Sequence, residues 1–319
     1  MSKQEADKKK NVLLITDYDG TISFNGTNNP KHLKSFLEDV KNSYPDADID
    51  IALCSGRPLS FLQGVAQFLG RNVRYITAET GGLTAKVNPE TGDLDEVQIL
   101  ASESDVELIQ NLQKVLEPKI NELGLQFETG KIVGFTIKHI GAEKSPPSEE
   151  DMQKLASRIK LLVDNAKREG HVKEEDLARA NWVLTPDSYD ACPYAVDKAN
   201  AIKHILRSAS DEKTYDMVIF SGDSANDIPA RDLLLSEEFQ KEFNVQTRVI
   251  GPGNAKKEYR NIDDSPCKKI IIGEGNGLKG TGLAFRQAMR EFGLLRTSFP
   301  SKIHNTGFPN HIIDDKSDR

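Results

Sequence analysis

The chain carries only three cysteines in 319 residues, Cys54, Cys192 and Cys267, with no Cys-x-x-Cys or Cys/His ligand spacing. An odd, scattered set supports neither a disulfide framework nor a zinc site, and a reducing cytoplasm is the expected compartment. No apolar run approaches the roughly 20 residues of a membrane-spanning helix. Residues 1–10 are charged and lack the apolar stretch of a secretory leader. Basic residues are in deficit, 42 Lys and Arg against 49 Asp and Glu, for a formal charge of −7. That balance argues against a general attraction to nucleic acid or to an anionic membrane, while leaving room for a local basic pocket that takes a phosphorylated small molecule. Neither an internal repeat nor a low-complexity tract is present.

What the chain does have is length for two compact domains, or for one domain with a large insertion. Val12 to Ile15 is too short for a helix and shows no polar alternation, so it reads as a strand buried on both faces of a parallel sheet. Pro30 then opens a helix whose Leu33, Phe36, Leu37 and Val40 share one face. A strand over Ile49 to Leu53, a helix opened by Pro58 and a strand over Arg74 to Ala78 complete a βαβαβ unit, the signature of a doubly wound sheet.

From Leu83 to about Asp190 the rhythm changes. A hairpin-like stretch around Asn88 to Gly92, helices near Ser104 to Leu123 and Glu149 to Arg168, and strands at Gln126 to Phe127, Ile132 to Ile140, Trp182 to Thr185 and Ser188 to Ala191 predict an inserted α+β module. The parallel pattern returns with a helix from Asp197 and with strands at Met217 to Phe220, Arg248 to Ile250 and Lys269 to Ile272. A last helix spans Gly280 to Phe292, and Thr297 to Arg319 reads as a loosely docked polar tail.

The predicted strand ends gather the chemistry. Asp17 and Asp19 end the first strand, Ser55 the second, and Asp223 and Asp227 a later one, while Lys198 opens a helix beside them. Open α/β sheets bind ligands at these carboxyl ends. Asp-x-Asp alone reads equally well as a solvated corner; its conjunction with Ser-Gly-Arg, a lysine and Gly-Asp-x-x-x-Asp, in order and at element boundaries, does not.

The segments DYDGT, CSGR, DKANAI and GDSANDIPA resemble the four motifs of the haloacid dehalogenase-like phosphohydrolases. Their spacing, with over a hundred residues between the second and third, is similar to the branch with a large α/β (type IIB, Cof-like) cap, which includes sucrose-phosphate and other sugar phosphatases. Glu79-Thr-Gly-Gly82 resembles that branch's Glu-Asn-Gly-Gly turn, with threonine in place of asparagine, and Gly251-Pro-Gly-Asn-Ala255 its Gly-Asn-Ala element. The resemblance implies a Rossmann-like catalytic core over residues 11–82 and 191–295 and an α+β cap over 83–190 that selects the substrate. Residues 1–10 would be a charged extension and 296–319 a tail.

Phosphate esters resist hydrolysis because charge must be redistributed among crowded oxygens, so catalysis needs positioning and cation stabilisation. On this pattern Asp17 is the nucleophile, forming an aspartyl-phosphate, and Asp19 the general acid and later base. The resemblance implies Mg²⁺ held by Asp17 and Asp223, by the Asp19 carbonyl and, through water, by Asp227. Thr21, Ser55, Gly56 and Lys198 are the expected phosphate contacts. Ser55 standing alone would read first as a helix N-cap, and a lone lysine as solvated surface. Asn226 either orients Asp227 or caps the next helix; Arg57 either touches phosphate or pairs with a carboxylate; Asn254 is a supporting candidate. In the cap, Lys131, Lys138 and His139 are candidate substrate contacts, equally readable as solvated or structural, and Trp182 reads first as core. The expected activity is Mg²⁺-dependent hydrolysis of a small phosphorylated metabolite, first a sugar phosphate, with a phosphosugar mutase as the rival and a non-catalytic binding module behind it.

Overall fold

The computed structural model describes residues 9–23, 30–140, 147–185, 188–261 and 270–294. The expected tail, the start of the N-terminal extension and residues 24–29 and 141–146 lie outside them.

The chain opens with β1 (Lys10–Thr16), α1 (Pro30–Ser43), β2 (Ala47–Cys54), α2 (Leu59–Leu69) and β3 (Tyr75–Ala78), the unit its apolar runs predict. A hairpin, β4 (Leu83–Val87) and β5 (Leu94–Ile99), precedes α3 (Glu103–Glu122), β6 (Leu125–Phe127) and β7 (Phe135–His139). Then come α4 (Glu149–Arg168), the short α5 (Glu174–Leu177), β8 (Ala180–Leu184) and β9 (Tyr189–Pro193). The last stretch comprises α6 (Lys198–Ala209), β10 (Met217–Ser221), α7 (Ile228–Leu234), α8 (Glu237–Phe243), β11 (Gln246–Gly251), α9 (Lys257–Arg260), β12 (Ile270–Ile272) and α10 (Gly277–Glu291).

These strands make two sheets. The larger has eight strands in the order β12-β11-β10-β1-β2-β3-β4-β5, and the smaller has four in the order β6-β7-β9-β8. Strands from β12 through β3 run parallel, with Val12 beside both Met217 and Ile49. Both faces of β1 are covered. Val12 and Leu14 pack toward α1, α2 and α10, and Leu13 and Ile15 toward α6 and α7. A strand with helices on both sides has no solvent face to mark with polar residues, which is why β1 reads as an unbroken apolar run.

In the small domain α3 and α4 lie on one face of the four-stranded antiparallel sheet, burying Leu112, Leu116, Leu155 and Ile159 against Phe135 and Ile137. The other face carries Thr136 and Lys138, because successive strand residues point to opposite sides. The inserted α+β module is therefore present, but with different limits. Residues 83–99 were expected in the cap; instead β4 and β5 pair antiparallel onto β3 and extend the large sheet. The hairpin-like stretch around Asn88 to Gly92 was legible but carried no sign of which sheet would accept it. At the other limit, β9 continues to Pro193 within the small sheet, beyond the expected boundary at 190. The strand expected from Ile132 begins only at Phe135. Among the described residues no helix is long and apolar enough to cross a membrane.

The turn after β3 is strained, with Glu79 at φ 52° and Thr80 at φ 60°. Left-handed backbone costs an L-residue about 1–2 kcal/mol, and a β-branched one has no local hydrogen bond to offset it. Thr80→Asn is expected to stabilise the fold by up to about 1 kcal/mol, read as a higher urea midpoint with unchanged slope. A lower midpoint would show that the threonine makes a contact worth more than its strain.

Candidate active site

β1 and β10 are adjacent in the large sheet although eight strands, β2 to β9, lie between them along the chain. Strand order reverses between them, and the crevice at such a switch point is where a parallel sheet opens to a ligand. Asp17 leaves β1 there, its N–H donating to the Ser221 carbonyl at 2.8 Å. Gly20 turns the chain back at φ 79°, and a Cβ at that position would stand 2.4 Å from an Asp223 carboxylate oxygen. Only glycine lets the first loop approach the second so closely.

The three acids meet around one lysine. Lys198 is 0% exposed, and its Nζ donates to Asp17 Oδ1 at 2.7 Å and to Asp227 Oδ1 at 2.6 Å. Asp197 caps α6 through the Asn200 N–H at 2.6 Å, which fixes the turn that aims Lys198 inward. The other Asp227 oxygen accepts the N–H groups of Asp223 at 2.9 Å and Ser224 at 3.1 Å. Thr21 Oγ1 lies 2.9 Å from Asp223 Oδ1 and 3.4 Å from Asp17 Oδ2, so its hydroxyl hydrogen is shared between the two. Burial pushes the Asp17 carboxyl well above the usual carboxylate range, opposed by Lys198 and reinforced by Asp227 and Asp223. Asp223 is pushed up to about 7, again chiefly by burial and then by Asp227. Burial works to lower the Lys198 ammonium, but Asp17 and Asp227 outweigh it and hold it above its ordinary value.

Asp17, Asp223 and Asp227 each present an oxygen within 4.8 Å of the others. Oxygen donors without sulfur or imidazole suit a hard divalent cation, and three carboxylates around a single ammonium leave negative charge for it to offset. Both Asp227 oxygens are already engaged, so Asp17 and Asp223 are the carboxylates placed to hold such an ion directly.

Above this cluster a cavity of about 550 Å³ separates the two domains, lined by Asp17, Asp19 and Ser55 below and by Glu128, Lys138 and Asp190 above. Arg57 forks the Asp19 carboxylate through Nε at 2.8 Å and Nη2 at 2.9 Å, and reaches Glu128 Oε1 through Nη1 at 3.4 Å. Of its two expected roles the guanidinium takes the carboxylate-pairing one. On the cap, Glu128 accepts from Lys138 at 2.8 Å and lies 3.5 Å from Lys131, whose Nζ is also 4.0 Å from Asp190. Opposing lysines lower the Glu128 carboxyl against the burial that would raise it.

Several expected contacts have other duties. Ser55 is not an N-cap of α2, whose cap position is Pro58; its hydroxyl accepts the Arg57 N–H at 3.2 Å and faces the cavity with Gly56. Thr21 and Lys198 do not line the cavity: both are buried behind the carboxylates they brace. Asn226 neither orients Asp227 nor caps; its Oδ1 accepts the Ser224 hydroxyl at 2.6 Å, and Ser224 forms the reciprocal cap with Asp227. Asn254 joins two loops, donating to the Gly20 carbonyl and accepting from the Gly277 N–H, each at 2.7 Å. Lys131 and Lys138 line the cavity, whereas His139 does not. One residue past Lys138, it shares the side of β7 with Phe135 and Ile137. Trp182 belongs to the cap core, stacked on Tyr189 at 5.6 Å, and burial pushes the Cys54 thiol up to about 12, leaving it unreactive. Glu128 and Asp190 were not singled out from sequence. Acids in a charge-rich module carry no mark of burial, and nothing in the local pattern around Glu128 or Asp190 pointed toward them.

Lys198→Met preserves bulk but leaves two buried carboxylates without their ammonium. It is expected to cost about 3–5 kcal/mol of stability at neutral pH, measured by urea denaturation. A cost under about 1 kcal/mol would mean that the pairing contributes little beyond its own desolvation.

A family model for haloacid dehalogenase-like hydrolases matches residues 14–230. No curated protein matches the sequence. Among solved structures, the C-terminal domain of C. albicans trehalose-6-phosphate phosphatase is similar at TM-score 0.59 and 16% identity, over 89% of this chain and 92% of that one. A Thermoplasma acidophilum protein designated 0175 aligns at TM-score 0.55 and 14% identity, over 90% and 100%. A haloacid dehalogenase-like hydrolase from Bacteroides thetaiotaomicron aligns at TM-score 0.54 and 16% identity, over 89% and 100%. At such identities the structures speak for the fold, while the family model spans the carboxylates, the lysine and the whole cap; the chain belongs to the haloacid dehalogenase-like hydrolase family.

Proposed function

We propose that this hydrolase is a phosphomonoesterase that acts on a small phosphorylated metabolite, a sugar phosphate, through an aspartyl-phosphate on Asp17. The observation that carries the reading is the cluster of Asp17, Asp223 and Asp227, with Asp17 and Asp223 on the floor of a polar interdomain cavity and buried Lys198 behind them bonded to Asp17 and Asp227.

Asp17 is the carboxylate on the cavity floor whose second oxygen is not taken by Lys198. In the forward step its oxygen bonds to phosphorus, the bond to the leaving oxygen breaks, and Asp19 transfers a proton to that oxygen. In the return step water attacks phosphorus, Asp19 accepts its proton, and the bond to Asp17 breaks to free phosphate. Lys198 opposes the effect of burial on Asp17 and fixes its direction, Thr21 braces Asp17 and Asp223, and Ser55 and Gly56 line the side where phosphate oxygens would sit. Mg²⁺, the divalent cation this oxygen set suits best, would be held by Asp17 and Asp223 with the Asp19 carbonyl, and would offset the charge of the phosphate.

The cap supports a neutral, hydroxyl-rich leaving group. Lys131 and Lys138 are both paired with Glu128, so the charges on that wall nearly cancel while donors and acceptors remain in quantity. A phosphosugar mutase must grip a second phosphate at the far end of its bisphosphate, and paired lysines serve that poorly. The structural likeness to the C. albicans trehalose-6-phosphate phosphatase domain is compatible with the sugar reading. Among the described residues Cys54 and Cys192 are free and buried, which fits a cytoplasmic enzyme.

Asp17→Asn is expected to lower phosphate release by about 10³-fold or more with the fold intact; normal release from that variant would remove the nucleophile assignment. A chelator should abolish activity and added Mg²⁺ restore it. Across a panel of sugar phosphates, phosphoglycolate, phosphoglycerates and cofactor phosphates, release should be highest for esters with a neutral polyol. A flat profile, or isomerisation of a hexose phosphate with little phosphate released, would overturn the substrate reading.

A further inference from the structure

The segment 128–134 between β6 and β7 belongs to the cap, yet it is fastened to the core. The Glu79 carboxylate, 2% exposed at the end of β3, accepts three successive cap amides. Ile132 N–H lies 2.9 and 3.0 Å from its two oxygens, Val133 N–H 2.7 Å and Gly134 N–H 3.1 Å from Oε2. Successive N–H groups turned toward one point form an anion-binding concavity, here filled by a side chain. Hydrogen bonds to an ionised acceptor are about twice as strong as neutral ones. Burying a carboxylate without them is costly.

A second contact is apolar and independent of the first. Val133 is 0% exposed and belongs to the core's own hydrophobic cluster, with Leu83 of β4 and with Val196 where the chain returns from the cap. Gly82 makes the room, since a Cβ there would lie 2.8 Å from Val133 Cγ1. The same segment carries Glu128, which meets Arg57 of the core, and Lys131, which faces the cavity.

We propose that Glu79 is a positioning residue that pins this segment to the core as a third attachment beside the two chain crossings. The cap then pivots about Glu79 and Val133 instead of lifting away, and Glu128 and Lys131 meet every leaving group from a fixed point. The backbone strain at Glu79 and Thr80 fits this role, because the left-handed turn is what directs the carboxylate across the domain boundary.

Two measurements test the pin, of which only the second rests on the phosphatase reading. Glu79→Gln keeps the size of the side chain and removes its charge. In the full-length protein, amide hydrogen exchange at Ile132, Val133 and Gly134 should speed up by about tenfold or more, with β1 and β10 amides unchanged. Gly82→Ala, which pushes on Val133 from the other side, should raise exchange at the same amides if the charge variant fails to fold. In steady-state kinetics with Mg²⁺, KM for the best sugar phosphate should rise about tenfold in Glu79→Gln. The value for p-nitrophenyl phosphate, whose leaving group has no hydroxyls for the cap to hold, should stay within about twofold. Unchanged exchange in both variants would overturn the pin, as would equal rises in KM for the two esters. A wild-type protein inert toward all esters, with exchange still responding to Glu79→Gln, would overturn the phosphatase reading and leave the pin standing.

Discussion

A single ammonium decides how this active site is built. Lys198 has no exposure to solvent and touches two carboxylates from different loops. An unpaired lysine there would be intolerable, and so would Asp17 and Asp227 without it. The requirement is reciprocal, so the ends of β1 and β10 and the start of α6 must come together for any of the three charges to be buried. The sheet makes that possible by placing β1 beside β10 at the reversal of strand order. Once they meet, Thr21, Ser224 and Asn254 complete the hydrogen bonds of the surrounding loops, and Gly20 leaves the space that closeness demands.

The cap follows a different electrostatic rule. The core concentrates carboxylates around a single ammonium, an arrangement that suits the cation and phosphoryl group of the proposed reaction. Across the cavity the charges alternate, Arg57 with Asp19 and Glu128, Glu128 with Lys138 and Lys131, so the upper wall is polar but nearly neutral. On the proposed function the floor would select for phosphate and the upper wall for the group attached to it. Division of labour between a conserved-chemistry floor and a separate wall is how one fold serves many substrates, and it requires the wall to be held in register, which is where Glu79 and Val133 enter.

Legibility followed burial. Apolar runs over β1, β2, β3 and β10 announced strands because both faces of each are covered. The spacing of Leu33, Phe36, Leu37 and Val40 announced α1 because one face is. Motif order placed Asp17, Asp19, Ser55, Lys198, Asp223 and Asp227 near one another; the three-dimensional cluster holds Asp17, Asp223, Asp227 and Lys198, while Asp19 and Ser55 line the cavity beside it. What the residues do for one another was not readable. Thr21 looked like a phosphate contact and braces two acids; His139 looked like a cap contact and lies on the helix side of its strand. The hairpin of β4 and β5 has the same pattern whether it joins the core or the cap.

By itself the sequence determined the α/β class, the insertion of a second module and the carboxylates and lysine at the strand ends, since each depends on local periodicity or on short motifs. Only the tertiary structure decided which sheet took the hairpin, that Arg57 serves Asp19 and Glu128, that Glu128 and Asp190 line the cavity, and that the core's Glu79 grips the cap. These are pairings between segments tens to hundreds of residues apart. A charged side chain carries no trace in sequence of the partner that permits its burial, so such facts exist only once the chain has folded.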